Sequence, residues 1–214
     1  MSGTETEHLV YGLTKARIEA LTDGIFAFAM TLLVTTLEIP EPQAILDPAG
    51  VARIIMVNFP DFLHYVLAFA VLAAFWVSHH MQFHALRVVD RRLIWMNIAL
   101  LLFVALVPFS TDLAGDYPDI PLSSMVFEMN IFLIGGMMFL QWLHATDGRR
   151  LISPEVTDAR IAIARRRGLV IPGVSLAGIL LASLGVGAST LVYLLVPPLV
   201  LLADGPKTQE TGGT

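Results

Sequence analysis

Six long apolar blocks constrain this chain more than any other feature. They cover about 18–37, 59–79, 93–113, 121–143, 168–185 and 188–203 of 214 residues. A helix that crosses the hydrocarbon core of a bilayer needs roughly 17–25 mostly apolar residues. Each block is that long or nearly so, and the chain is 56% hydrophobic with only 14% charged residues, against about 25% charged in soluble domains. The expected fold is all-α: an integral membrane protein of six transmembrane helices. Only 185–189, Gly-Val-Gly-Ala-Ser, separates the last two blocks, and small residues there permit a tight turn. There is no cysteine, which removes disulfides and thiol chemistry.

Charge sorting predicts the orientation. With six spans, twelve of the thirteen Lys and Arg residues fall on one side and Arg53 alone on the other. Basic residues mark the cytoplasmic side, so both termini are expected there. The opposite mouth is acidic, with Glu38, Glu41, Asp47, Asp112, Asp116 and Asp119. Such acids either gather cations or simply reflect short external loops without basic residues. Residues 17–203 are expected to form one membrane domain. Segment 1–16 is polar, with no apolar stretch of the signal type, and is expected in the cytoplasm. The Gly- and Thr-rich tail 204–214 reads as disordered.

Punctuation inside this frame is sparse. Pro60 opens the second span, and Pro121 the fourth. Pro108 lies within the third and predicts a kink near its outer end, because proline removes a backbone donor and crowds the preceding turn. Pro197-Pro198 predicts the same in the sixth. Ser153-Pro154-Glu155 reads as a helix start, with a cap, a proline at the first position and an acid in the first turn. The helix it opens ends in Arg165-Arg166-Arg167 and runs toward the fifth span. That basic cluster beside a membrane fits anionic lipid; without aromatic partners it does not read as a nucleic-acid surface.

The first span carries the chemistry. Gly24, Phe28, Thr31 and Thr35 are spaced four, three and four, so they share one helical face, while Phe26, Met30, Leu33 and Leu37 make the opposite side apolar. A small and hydroxylated face in a membrane helix either meets another helix or lines a water-filled path. In the second case Phe28 forms an apolar constriction and the threonine hydroxyls partly replace an ion's water. Asp23 lies about one turn inside the boundary, where a charge needs a partner. Candidates at the same depth are Trp76, Ser78, His79, His80 and Asn97. Such a cluster is either a static brace or a switch.

Residues 17–33, Arg-Ile-Glu-Ala-Leu-Thr-Asp-Gly-Ile-Phe-Ala-Phe-Ala-Met-Thr-Leu-Leu, resemble the signature of the endolysosomal potassium channel family (transmembrane protein 175) and its six-helix prokaryotic members. That signature reads R-x-x-x-F-S-D-G-[VI]-F-A-[IL]-A-[IM]-T-L-L. Arg17, Asp23, Gly24, Phe26, Ala27, Ala29, Thr31, Leu32 and Leu33 match it, and Leu21-Thr22 stand for its F-S pair. Phe75-Trp76 followed by His79, and Asn97 on the third span, are also similar to the family. The resemblance implies a homotetramer around a central pore lined by the first helix, conducting potassium over sodium without a T-V-G-Y-G filter. It places Phe28 at the apolar constriction, where the family has Ile or Leu, and Thr31 in a threonine ring one turn further out. Arg17, Thr22, Asp23, Trp76, His79 and Asn97 take the position of a brace between helices 1, 2 and 3. The implied partners are other copies of the chain, membrane lipid, and potassium or other monovalent cations as permeant ions, with no cofactor.

Other constellations are weaker. Val10-Tyr11-Gly12 has no pore helices beside it and is set aside. His80 and His84 stand at i and i+4 and, with His64, form the pattern of a metal or haem site, but without the H-E-x-x-H string. His64 and His144 read as packing residues. Glu128 is a deep intramembrane acid and, with Asp23 and the histidines, would serve a proton-coupled transporter; the inverted repeats common in transporters are not visible. No nucleophile-elbow pattern points to an enzyme.

Overall fold

The computed structural model describes residues 14–37, 48–186 and 189–203. Glu38, Glu41, Asp47, Val10-Tyr11-Gly12 and the expected tail 204–214 lie outside the described residues. What is described is helical: α1 (Lys15–Leu32), α2 (Pro48–Val57), α3 (Phe59–His84), α4 (Arg91–Ala105), α5 (Val107–Asp116), α6 (Pro121–Thr146), α7 (Asp158–Gly168), α8 (Val170–Ser183) and α9 (Val196–Ala203). A 3-10 stretch, Leu33–Thr36, continues α1, and another, Ser189–Leu195, leads into α9. Among the described residues the one β-bridge pairs Leu86 with Ile152.

Among the described residues five helical stretches are long and apolar enough to cross a membrane: Lys15–Thr36, Phe59–His84, Arg91–Asp116, Pro121–Arg149 and Asp158–Ser183. The chain is a multi-pass membrane protein. Ser189–Ala203, where the sixth span was expected, is a shorter apolar helix. Two of the five join two α-helices. The third breaks at Leu106, between α4 and α5, where Pro108 occupies the first turn of the new helix. Asn130 Nδ2 from α6 donates to the Phe103 carbonyl beside this break at 3.1 Å, as kinked membrane helices require. The fifth joins α7 to α8 at Leu169, so the helix that ends in the arginine cluster does run into the span.

The start of α7 differs from expectation. Ser153-Pro154-Glu155 is a turn closed by the Val156 N–H on the Ser153 carbonyl at 3.1 Å. The helix begins four residues later than expected, where Thr157 Oγ1 accepts from the Arg160 N–H at 3.3 Å and Asp158 supplies the first-turn acid. Burial decides the outcome: Leu151, Ile152 and Val156 all enter the core. The non-helical course of 151–157, a bridge at Ile152 followed by the turn, delivers all three. α2 is also beyond expectation, a short apolar helix of ten residues ahead of α3.

Two buried clusters hold the bundle. The larger gathers Phe26 and Ala29 of α1 and Leu33 of its 3-10 continuation with Leu72 and Phe75 of α3, Leu100 and Val104 of α4, and Ile131 and Ile134 of α6. The smaller joins Ile18, Phe83, Leu93, Trp142 and Ile161 to the connections at 85–89 and 151–156. Asp90 caps α4 by accepting from the Leu93 N–H at 2.8 Å and pairs with His144 of α6 at 2.8 Å. Partial burial works against its ionisation, but the Leu93 and His144 hydrogen bonds and the nearby His144 and Arg150 charges outweigh it. The Asp90 carboxyl is therefore held below the ordinary aspartate value.

α6 and α8 approach closely because glycine lies in the contact. A Cβ at Gly135 would stand 2.9 Å from the Pro172 ring of α8. Small residues at such crossings let membrane helices pack by van der Waals contact, where no hydrophobic force separates helix from lipid. α8 then ends on Gly185, whose φ of +80° suits a residue without Cβ. Its N–H bonds the Ala182 carbonyl at 2.9 Å, and the Val186 N–H bonds the Leu181 carbonyl at 3.1 Å, the paired bonds that close a Schellman cap. This cap opens the turn expected between the last two blocks; residues 187–188 lie outside the described residues.

Candidate functional site

α1 starts at Thr14, whose hydroxyl accepts from the Arg17 N–H at 3.3 Å, and runs without proline to Leu32. One side is sealed in the core: Phe26 and Leu33 are 0% exposed and Ala29 1%. The other side is uncovered by the described residues. Arg17, Leu21, Gly24, Phe28, Thr31 and Thr35 form one continuous exposed stripe at four-three-four-three-four spacing. Phe28 is 61% exposed. At Gly24 a Cβ would meet nothing within 4 Å, so packing inside this chain does not demand glycine there.

The threonines of the stripe share a hydrogen-bonding pattern. Thr31 Oγ1 donates to the Phe28 carbonyl at 2.8 Å and Thr35 Oγ1 to the Leu32 carbonyl at 2.7 Å. Thr36, beside the stripe, does the same to Leu33 at 2.8 Å. Each hydroxyl proton is thus used internally, which leaves the oxygen lone pairs available as acceptors. These oxygens suit a cation better than an anion.

Behind α1 lies a buried polar chain across three helices. His79 of α3, Asn97 of α4 and Thr22 of α1 are 3%, 1% and 0% exposed. Asn97 Nδ2 donates to Thr22 Oγ1 at 2.9 Å, and Thr22 Oγ1 donates to the Ile18 carbonyl at 2.9 Å. With its amide so oriented, Asn97 presents Oδ1 to His79 Nε2 at 2.8 Å, so Nε2 carries the proton and donates. Every donor in the series points from α3 through α4 to α1. Phe83 stacks on the His79 ring with centroids 4.2 Å apart, and Phe26 flanks it at 6.4 Å.

Asp23 takes a separate partner: Trp76 Nε1 of α3 donates to Asp23 Oδ1 at 2.8 Å. Neither histidine meets that carboxylate by hydrogen bond. His79 turns to Asn97, while His80 is exposed and tilts against Trp76 at 6.2 Å between ring centroids. Thr22, Asp23, Trp76, His79 and Asn97 therefore tie α1 to α3 and α4 through two short connections. The chain does not bring Arg17 into them; it heads the exposed stripe. The nearby Lys15 reaches the Leu86 carbonyl at 2.9 Å and Glu19 at 3.9 Å.

His64 lies 3.3 Å from Thr190 Oγ1 and His144 pairs with Asp90, so the scattered histidines are engaged apart from one another. Among the described residues no three His, Cys, Asp or Glu side chains gather as a metal site. Nothing in the residue pattern marks the surroundings of Glu128. That acid is 0% exposed and lies against Gly178 of α8, a residue whose role shows only in the packed pair.

Residues 17–108 match the family model described as endosomal/lysosomal potassium channel TMEM175. A potassium channel from Streptomyces collinus is 34% identical over 154 residues, covering 70% of this chain and 73% of the relative. A potassium channel from Chamaesiphon minutus is 30% identical over 177 residues, covering 81% and 86%. The crystal structure of a lysosomal potassium-selective channel TMEM175 homolog from Chamaesiphon minutus superimposes with a TM-score of 0.75 at 26% identity. It covers 89% of this chain and 98% of the other.

Proposed function

This chain belongs to the endosomal/lysosomal potassium channel TMEM175 family, and on that premise we propose that it is a potassium-selective cation channel, with four copies around a pore lined by α1. Its relatives are ion channels, not enzymes. The observation that carries the reading is the exposed stripe of α1. A helix whose inner side is fully buried, and whose outer side presents Gly24, Phe28, Thr31 and Thr35, is incomplete as a single chain. Around a shared axis the four Phe28 rings form the apolar constriction, where dewetting can gate. Four Thr31 hydroxyls, and then four of Thr35, offer oxygen to a partly dehydrated potassium ion. No cofactor enters this scheme.

The brace in this reading is Thr22, Asp23, Trp76, His79 and Asn97, which hold the pore helix at a fixed rotation. Arg17 belongs to the cytoplasmic mouth rather than to the interior network. Ser189–Ala203 serves as the sixth span. A 3-10 segment rises about 2 Å per residue against 1.5 Å for α-helix, so this stretch reaches roughly 26 Å, close to a bilayer core. Both termini then face the basic, cytoplasmic side. Lipid covers the apolar outer surfaces of the bundle.

Purified protein in planar bilayers, with potassium on one side and sodium on the other, tests the proposal. A reversal potential set by potassium supports it. A ratio that never favours potassium, or a protein that stays monomeric in bilayers, refutes it.

A further inference from the structure

The α6–α8 contact contains an acid that the α1 surface does not use. Glu128 is 0% exposed, and its carboxyl is pressed onto Gly178 of α8. A Cβ at Gly178 would stand 2.6 Å from its Cδ and 2.8 Å from each oxygen. Neither oxygen has a hydrogen-bond partner among the described residues, and neither does Ser189 Oγ, which lies beside the carboxyl.

Among the described residues no ion pair reaches this group. The ion pairs among the described residues join Lys15 to Glu19, His144 to Asp90, Arg149 to Asp158 and Arg150 to Asp147. From the last segment the titratable group facing Glu128 is Tyr193. Its hydroxyl donates to Ser175 Oγ of α8 at 3.0 Å, and its ring meets Phe127 edge-on at 5.8 Å. On α3, His64 is turned to Thr190 with Asp61 as its charged neighbour. On α5, Asp112 has Asp116 for its charged neighbour. The arginines of α4, Arg91 and Arg92, lie at its first turn; those of α7 are Arg160 in its first turn and Arg165 to Arg167 in its last.

An isolated carboxylate at membrane depth costs several kcal/mol, whereas a neutral acid costs one hydrogen bond. A divalent cation is a poor occupant, because it takes about six oxygens and this pocket offers two carboxyl oxygens and a hydroxyl against a glycine. A proton needs one acceptor, and Ser189 Oγ is placed to be it. We propose that Glu128 is a proton-binding site, separate from the α1 stripe, whose protonated carboxyl closes α6 onto α8 and the Ser189–Leu195 segment. Proton release leaves a bare carboxylate against Gly178 and loosens that contact. The site ties the packing of the last helices to pH, whichever ion the α1 surface passes.

Infrared spectra of the full chain in lipid vesicles, titrated from acid to alkaline pH, read the acid directly. A protonated-carboxyl carbonyl band should be present at neutral pH, shift in heavy water, fade at alkaline pH and be missing from Glu128→Gln. In Ser189→Ala the same band should persist at a shifted frequency. Thermal stability should fall with rising pH in the wild type, and the part of that loss due to Glu128 should vanish in Glu128→Gln. The proposal is overturned if the wild type shows no such band, or if Glu128→Gln leaves the band or the alkaline loss unchanged. Should Glu128→Gln not fold, the Ser189→Ala spectrum decides: an unshifted band refutes the site.

Discussion

Replacing Asn97 by alanine tests how firmly the pore helix is held. Asn97 makes two buried bonds, to His79 at 2.8 Å and to Thr22 at 2.9 Å. The losses are unequal. Thr22 keeps its own donation to the Ile18 carbonyl, so that end forfeits roughly 0.5 kcal/mol, near the average for interhelical hydrogen bonds in membrane proteins. His79 is left with a buried N–H and no acceptor, which costs about 1–3 kcal/mol. The total is about 1.5–3.5 kcal/mol. The assay is reversible unfolding in mixed micelles, followed by far-ultraviolet circular dichroism, in a cycle with Thr22→Val. The double variant should be less destabilised than the sum of the singles by about 0.5–1 kcal/mol, because both remove the same bond. An Asn97→Ala protein within about 0.5 kcal/mol of wild type, or strict additivity, would refute the buried chain as a brace.

Other substitutions probe separate parts of the account. Thr31→Val keeps the shape and removes the outward oxygen; it should lower potassium selectivity by about 1 kcal/mol, roughly fivefold, in bi-ionic recordings. Phe28→Ala should raise unitary conductance, and an unchanged value would place the narrow point elsewhere. Gly178→Ala puts a methyl 2.6 Å from Glu128 Cδ and should destabilise by about 1–3 kcal/mol in the same unfolding assay. Asp90 is held below its ordinary value, so the folded state binds fewer protons than the unfolded chain in acid. Its stabilising contribution is complete above about pH 4 and falls away as pH drops through the lowered value. Asp90→Asn should flatten that acid limb in melting curves.

The face of α1 was legible because helix periodicity alone aligned Gly24, Phe28, Thr31 and Thr35, and burial of Phe26 and Leu33 followed from the same period. Pro108 marked the break between α4 and α5 for a reason equally local, the missing backbone donor of proline. Elsewhere local signals lost to packing. The capping pattern at Ser153 was genuine in type, but Ile152 and Val156 were needed in the core, and Thr157 took over the cap. Arg17 stood in the family string beside Asp23, yet its spacing to Leu21 and Gly24 carries it onto the exposed stripe. His79 and His80 could not be told apart from spacing, since the choice depends on which ring reaches Asn97. Glu128 was visible as an intramembrane acid, but glycine at position 178 gives no side-chain signal, so its packing partner emerged only from the fold.

The absence of cysteine permits the most direct test of the central claim, that the exposed stripe of α1 meets the ion. Single cysteines at Gly24, Thr31 and Thr35, and for contrast at Phe26, Ala29 and Leu33, can be challenged with a charged thiol reagent during bilayer recording. The account predicts rapid block of potassium current at the first three positions and none at the second three. Block at the buried positions with sparing of the stripe, or no block at any of the six, would contradict it.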